Sequence, residues 1–507
     1  MRSSTGITPC SFQNPATTIS SLGPGYNSGL GGRERPGAPG LLDSTASMGK
    51  GRIFLKDALS LARNRFAVCC RPDISGWRRS PRVKTGLVAC LVAMAVMVVG
   101  CSTPPPVQAP GVTTVVVQMY SGQEADAMAK VVEEWNRRQA KDAGFEVSLE
   151  TLPQDGYFER VVSQLAGRLG RPDIVHLVSL SLGRLEPYLE PAGSHVDPEG
   201  TRVATLLEAL PAATTGSVRV DGRALMFPTG VHQLVMFYRS DLMEEPPATW
   251  NEALEVARNL TQRHNSDSPT EYGMAWPGRL DVWGFAAYLG ILWSYGGDWR
   301  GPLGEVSLDQ EEALESMKVL EDLYRQAVLP PGVENQGHED VVEALREGRA
   351  AMGLAWSWAF DTLADREDSP GTWDKIEMAP PPGADEGEYT TRGMYLHTTG
   401  LAVNSASPYR SEAMSFLAWA TLGEGARVYA QGGGDPLWAG QDLPGSLEMV
   451  YPWVMEYGRS PRPHPRLTEV MLAGSKWVRK VLVGEVGAAE ACQGLQGEAQ
   501  AITEPGR

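Results

Sequence analysis

From Val112 onward the chain alternates β-branched runs with amphipathic stretches, and this alternation restricts the fold more than any other feature. Val112 to Tyr120 (VTTVVVQMY) has the composition of a strand buried on both faces. Ser121-Gly122-Gln123-Glu124 interrupts it, and Ala125 to Gln139 then places Ala127, Met128, Val131, Val132 and Trp135 at helical spacing. Phe145 to Leu152 reads as a second strand, Tyr157 to Leu169 as a helix, and Asp173 to Leu177 (DIVHL) as a third strand. Such an order predicts an α/β sheet with right-handed crossovers. Ligands of these sheets sit beyond the carboxyl ends of the strands. That rule puts Tyr120, Ser121, Glu124, Ser179 and Ser181 on a common rim.

What precedes the alternation is different in kind. Residues 1–50 are rich in Gly, Ser, Pro and Thr with few periodic apolar positions, the composition of a disordered segment. Basic residues Arg78, Arg79, Arg82 and Lys84 then lead into Leu87 to Cys101, LVACLVAMAVMVVGC, whose first 13 residues carry no charge. That run is short of the roughly 20 apolar residues of a transmembrane helix and fits the basic and apolar regions of a secretory signal. Its ending, Val98-Val99-Gly100-Cys101, resembles a bacterial lipobox, which implies cleavage before Cys101 and lipidation of that cysteine. Ser102-Thr103-Pro104-Pro105-Pro106 follows as a stiff tether. The expected organisation is a leader over 1–77, a lipoprotein signal over 78–100 and a lipid-anchored linker over 101–112. A signal should begin near an N-terminus, so translation is expected to start at Met48 or later.

Charge and cysteine usage narrow the function classes. Residues 1–100 carry 13 Lys+Arg against 4 Asp+Glu; the totals of 45 and 61 therefore leave 32 against 57, near −25, for the remainder. Such acidity argues against nucleic acid or an anionic lipid surface as a partner. Of the six cysteines only Cys492 lies beyond Cys101, so neither an internal disulfide nor a cysteine-based metal site is expected. No GxSxG or HExxH occurs, and Gly432-Gly433-Gly434 leads into no phosphate-loop pattern. Acidic residues such as Glu311, Glu312, Glu315 and Glu321 fall on helix faces rather than as a catalytic pair. No catalytic residue, cofactor or metal is expected.

Eight segments then occur in the order of a known family: VVEEWNRR (131–138), RPDIVHL (171–177), FPTGVHQLVMFYRSDL (227–242), PPATWNEALEVARNL (246–260), WSYGGDW (293–299), GRAAMGLAWSW (348–358), GLAVNSASPYRSEAMSFLAWA (400–420) and RSPRPHPRLTE (459–469). Together they resemble the family 1 extracellular solute-binding proteins of ABC importers, to which the maltose-binding protein belongs. The resemblance implies a two-lobed periplasmic-binding-protein fold, type II-like, with a ligand cleft between the lobes. Crossings are expected near Gly230–Val235, Gly393–His397 and Arg459–Pro465. Lobe one would hold 113–230 and 397–458, and lobe two 235–392 and 463–507. Implied partners are a small-molecule carbohydrate, the permease subunits of an ABC transporter and, through Cys101, the membrane; the protein would act as an extracytoplasmic monomer. A surface sensor or adhesin on the same fold, or a glycoside-acting enzyme, are the rival readings.

The aromatic residues suggest the ligand class. Thirteen of 14 tryptophans lie beyond residue 100, and sugars present apolar faces that suit aromatic platforms. Trp135, Trp250 and Trp293 fit core positions. Trp276, Trp283, Trp299, Trp356 and Trp358 are the candidates for the cleft, with Trp358 foremost because it follows a predicted strand, Ala350 to Ala355. His232 lies in the first crossing strand, where its neighbour Gln233 must face the other way. Asp435 and Trp438 belong to a Gly-rich loop, GGGDPLW. His397-Thr398-Thr399 stands where family members often show Gly-Gly-Trp, so His397 should reshape the pocket. A neutral oligosaccharide is expected; a phosphate-bearing ligand would need arginines such as Arg279 or Arg392.

Overall fold

The computed structural model describes residues 112–195, 205, 207–208, 210–386, 389–434 and 445–504. All of them belong to the second of two units into which the chain separates, Pro104–Arg507. The leader, the signal, Cys101, Asp435 and Trp438 lie outside the described residues.

The alternation of the first third appears as expected. Strand β1 (Thr113–Tyr120) is followed by helix α1 (Gln123–Arg138), β2 (Phe145–Leu152), α2 (Tyr157–Ala166) and β3 (Ile174–Val178). Helix α1 forms because its apolar residues recur on one stripe, and it buries Ala127, Met128, Val131, Val132 and Trp135. Trp135 packs against Phe145, Phe416 and Trp419 at ring separations of 5.1–5.4 Å. β1 pairs in parallel with both β2 and β3, as crossover helices require.

Two long strands then carry the chain back and forth. Strand β4 spans Phe227–Arg239 and precedes α3 (Trp250–Asn259), β5 (Tyr272–Ala275), α4 (Val282–Ser294), α5 (Glu311–Arg325) and α6 (His338–Arg346). Next come β6 (Ala350–Trp356), α7 (Ala359–Leu363), β7 (Ile376–Ala379), β8 (Met394–Val403), α8 (Arg410–Leu422) and α9 (Glu424–Gln431). The chain closes with β9 (Gly458–Arg459), α10 (Leu467–Leu482) and α11 (Ala488–Thr503). One nine-stranded mixed sheet results, in the order β2-β1-β3-β8-β4-β6-β5, with β9 beside β8 and β7 beside β4.

β4 changes partner within its length. Phe227 to Gln233 pair with β8, while Leu234 to Tyr238 pair with β6. β8 does the same, with Met394 and Tyr395 on β9, Leu396 to Leu401 on β4 and Thr399 to Val403 on β3. Every residue of β8 is buried, and all of β4 but His232. Two apolar cores flank these strands. One gathers Val115, Met128, Trp135, Leu165, Ile174, Leu401 and Phe416, and continues through Val341, Leu345 and Leu363 of α6 and α7. The other gathers Trp250, Trp276, Phe285, Trp293, Trp299, Leu320, Met352, Val470 and Leu495. Among the described residues no helix is long and apolar enough to cross a membrane.

Candidate functional site

Where β4 and β8 run side by side, His232 and His397 stand directly opposite each other in the ladder. Their rings stack at 5.0 Å, and His397 stacks in turn on Trp283 at 4.8 Å. Trp356, the last residue of β6, meets both His397 and Trp283 edge-on, at 5.0 and 5.3 Å. Trp283 is held in place because Asp281 caps α4, its Oδ1 accepting from the backbone N–H groups of Trp283 and Gly284 at 2.9 and 3.0 Å. Four aromatic side chains from four elements thus form one cluster, edge-to-face and stacked as ring quadrupoles favour.

Glu124, in the first turn of α1, reaches the same cluster from the other side. Its carboxylate accepts from the Thr399 hydroxyl at 2.7 Å and the Tyr120 hydroxyl at 3.1 Å. It lies 3.4 Å from His176 Nε2 and 3.9 Å from His232 Nε2. Burial works against the anion. His176, His232 and the Thr399 hydroxyl overcome it and hold the carboxyl well below the usual carboxylate range. Burial also pushes His397 well below the ordinary imidazole value, the neighbouring His232 adding to the effect. His338, at the start of α6 and 5.2 Å from Trp356, is pushed down to about 4 by burial. His397 Nδ1 and the Tyr395 hydroxyl are buried without a hydrogen-bond partner among the described residues.

Of the expected site residues, Tyr120, Glu124, His232, Trp283, Trp356 and His397 come together here. Gln233 faces the other way, as the strand period demands, and accepts from the Ser357 hydroxyl at 2.5 Å. Ser179 is buried, its hydroxyl accepting from the Thr398 N–H at 3.2 Å, so it braces β8. Ser181 donates to Val178 O within its own turn, and Ser121 is exposed in the β1–α1 turn. Trp358 is 53% exposed at the start of α7. Two expectations are corrected: Trp276 and Trp299 are each 0% exposed. Trp276 packs edge-on against Trp250 and Trp299 against His464, both inside the second core, so neither lines the cluster.

Residues the sequence did not single out complete the arrangement. His176 sits within the RPDIVHL segment, where it reads as one more strand position. Tyr395 and His338 carried no local signal, because each joins the site through contacts made far along the chain, and Thr399 stood out only as part of the His397-Thr398-Thr399 departure. The two arginines that an anionic ligand would need are engaged elsewhere. Arg279 pairs with Asp281 and Glu339, and Arg392 donates to Pro380 O and Pro381 O at 3.2 and 2.8 Å. Among the described residues no group of three or more His, Cys, Asp or Glu is placed to hold a metal ion. A separate concavity of about 540 Å³ is lined by Thr261, Arg263, Tyr272, Tyr324, Pro331 and Glu334. It includes none of the cluster's residues, and the Thr261 hydroxyl there is already spent on Ala257 O at 2.6 Å.

Comparison with known proteins identifies the fold and the family. The arabinooligosaccharide-binding protein of Halalkalibacterium halodurans is 25% identical over 329 residues, 62% of this chain and 69% of that protein. Maltose-bound MalE3 of T. maritima superposes with a TM-score of 0.62 at 22% identity, covering 76% of this chain and 99% of that one. The cyclic alpha-maltosyl-1,6-maltose binding protein of Arthrobacter globiformis also gives 0.62, at 19% identity, over 78% of this chain and 100% of that one. These likenesses show the two-lobed fold. The model of the bacterial extracellular solute-binding proteins matches residues 121–426, most of the described chain, and the chain belongs to that family.

Proposed function

We propose that this protein captures a neutral oligosaccharide outside the cytoplasm and delivers it to the permease subunits of an ABC importer, acting as a lipid-anchored monomer. The observation that carries the reading is the Glu124 carboxylate beside His232, whose ring stacks on His397, with Trp283 and Trp356 packed around His397. A fixed carboxylate accepts from sugar hydroxyls, while aromatic faces cover the apolar C–H surfaces between them. Engagement of Arg279 and Arg392 by other groups supports a neutral ligand over a phosphorylated one. The names of relatives that bind arabinooligosaccharide and maltose support the same class. Trp358, exposed two residues beyond Trp356, is proposed as a further platform, and Asp435 and Trp438 as further ligand contacts. Lobe one is taken as 113–230 with 397–458 and lobe two as 235–392 with 463–507, in keeping with the partner change of β4 at Gln233 and Leu234.

Calorimetric titration with arabinotriose, maltotriose, their monosaccharides and glycerol phosphodiesters tests the reading. Trisaccharide binding, with weaker or no response to monosaccharides and phosphodiesters, is the expected result. Silence toward every neutral sugar, or a preference for a phosphodiester, would overturn it. For the anchor, the membrane-extracted protein should yield an N-terminal peptide beginning at a diacylglyceryl-modified Cys101. An unmodified peptide spanning Gly100 and Ser102 as the main species would refute lipidation.

A further inference from the structure

Four of the chain's seven histidines, His176, His232, His338 and His397, meet around the crossing of β4 and β8. Two of them share one carboxylate: Glu124 Oε2 faces His176 at 3.4 Å and Glu124 Oε1 faces His232 at 3.9 Å. The two imidazoles differ in exposure. His176 is fully buried in β3 behind Glu124, while the His232 side chain is 17% exposed on the crossing strand. Thr399 and Tyr120 hydroxyls fix the carboxylate between them. We propose that Glu124, His176 and His232 hold one proton in common, that this unit sets the pH window in which the cleft binds sugar, and that His176 is its positioning residue. The proposal rests on the sugar-binding reading above.

Charge counting gives the window two limbs. With one proton, the Glu124 anion is matched by one imidazolium, and the buried unit is neutral. Losing that proton leaves an unmatched carboxylate in a nearly dry site, which is costly. Gaining a second places two imidazoliums against one carboxylate. Burial pushes the fully buried His176 below its ordinary value, only partly offset by Glu124, so within the proposed unit the first proton falls to the more exposed His232 and the second to His176. The surroundings supply no substitute. Tyr120 on β1 and Tyr157 on α2 are pushed up by burial and stay neutral. On the other side His397 and His338 are held toward their neutral forms by burial, with Arg279, Asp281 and Glu339 beyond, engaged with one another. As the most accessible member, His232 is the one placed to meet a ligand, and its imidazolium is an N–H donor steadied by Glu124.

The test uses the full chain with ¹³C-labelled imidazoles, titrated by NMR without ligand and by calorimetry with arabinotriose and maltotriose between roughly pH 5 and 8. Glu124→Gln should lower the midpoint of the His232 resonance, since it removes the carboxylate 3.9 Å from its Nε2. Affinity should pass through a maximum and fall up to about tenfold per pH unit on each side, the slope of a one-proton linkage. His176→Gln, which keeps a polar atom near the Nε2 position, should lose the acid limb of the profile. His176→Leu should lose affinity throughout, and His232→Gln should remove the alkaline limb. A His232 midpoint unmoved by Glu124→Gln overturns the shared proton. A flat affinity profile overturns its role in binding. Coupled titration with no affinity for either trisaccharide would instead sink the sugar-binding reading and leave the proton-sharing unit standing.

Discussion

Trp135 and Trp283 place the same indole in opposite circumstances. Trp135 is 3% exposed among Phe145, Phe416 and Trp419, so Trp135→Ala should open a cavity and cost roughly 3–5 kcal/mol of folding free energy. Trp283 is only partly buried and stacks on His397. Trp283→Ala should weaken sugar binding by about 1–3 kcal/mol, the scale of one apolar side chain's burial, with a smaller loss of stability. Trp358, more exposed still, should show the same pattern with almost no stability change. Denaturant melts and calorimetry on the three variants check this; equal stability losses for Trp283→Ala and Trp135→Ala would assign Trp283 to the core. At this scale the sequence was half legible. Residue type announces an aromatic site, yet Trp276 and Trp299 look no different from Trp283 in the sequence. Their burial is decided by elements such as α10, whose residues Val470 and Val481 arrive almost two hundred positions later. His176 was missed for the same reason, since its partner Glu124 lies on another element.

Secondary-structure elements were the more readable layer, because period and capping are local. β2 begins and ends at the residues its alternation marks, and α1 differs from its expected bounds by two residues or fewer. Helix α3 shows why: Thr249 Oγ1 accepts from Glu252 N–H at 3.2 Å, while Glu252 Oε2 accepts from Ala248 N–H at 2.8 Å. One orphan donor of the first turn and the N–H of the residue before the cap are satisfied by two residues three positions apart. Thr249→Ala should therefore cost about 1 kcal/mol of stability and leave sugar affinity untouched, as paired chemical denaturation and calorimetry would show; a change in affinity would mean that α3 communicates with the cleft. Helix α4 was harder to read. Eleven of its residues from Gly284 to Ser294 are buried, so it lacks the polar face that gives an amphipathic helix its signature.

For the whole molecule, the order of segments and the family were legible by resemblance, whereas the partner change inside β4 and β8 was not. Each strand is a single run of residues in the sequence, and nothing local marks where its neighbours exchange. On the lobe division and site proposed above, a ligand held between Glu124 on one side and Trp283 and Trp356 on the other would contact both lobes and stabilise the arrangement that brings them together by its differential affinity. Saturating trisaccharide should accordingly reduce the radius of gyration in small-angle scattering and raise the melting temperature with concentration. A melting temperature that rises with no change in radius would mean that binding occurs without closure.

The place of β8 in the sheet also bears on how the chain reaches its native state. β3 and β4 are joined through β8, whose Thr399 to Val403 pair with Ile174 to Val178, more than two hundred residues earlier. The sheet's first half therefore cannot close while a ribosome or translocon still holds the later residues. Contacts of such long range slow folding. For a protein of a family that works beyond the cytoplasm, slow closure of the sheet prolongs the unlocked state in which the chain can still be threaded.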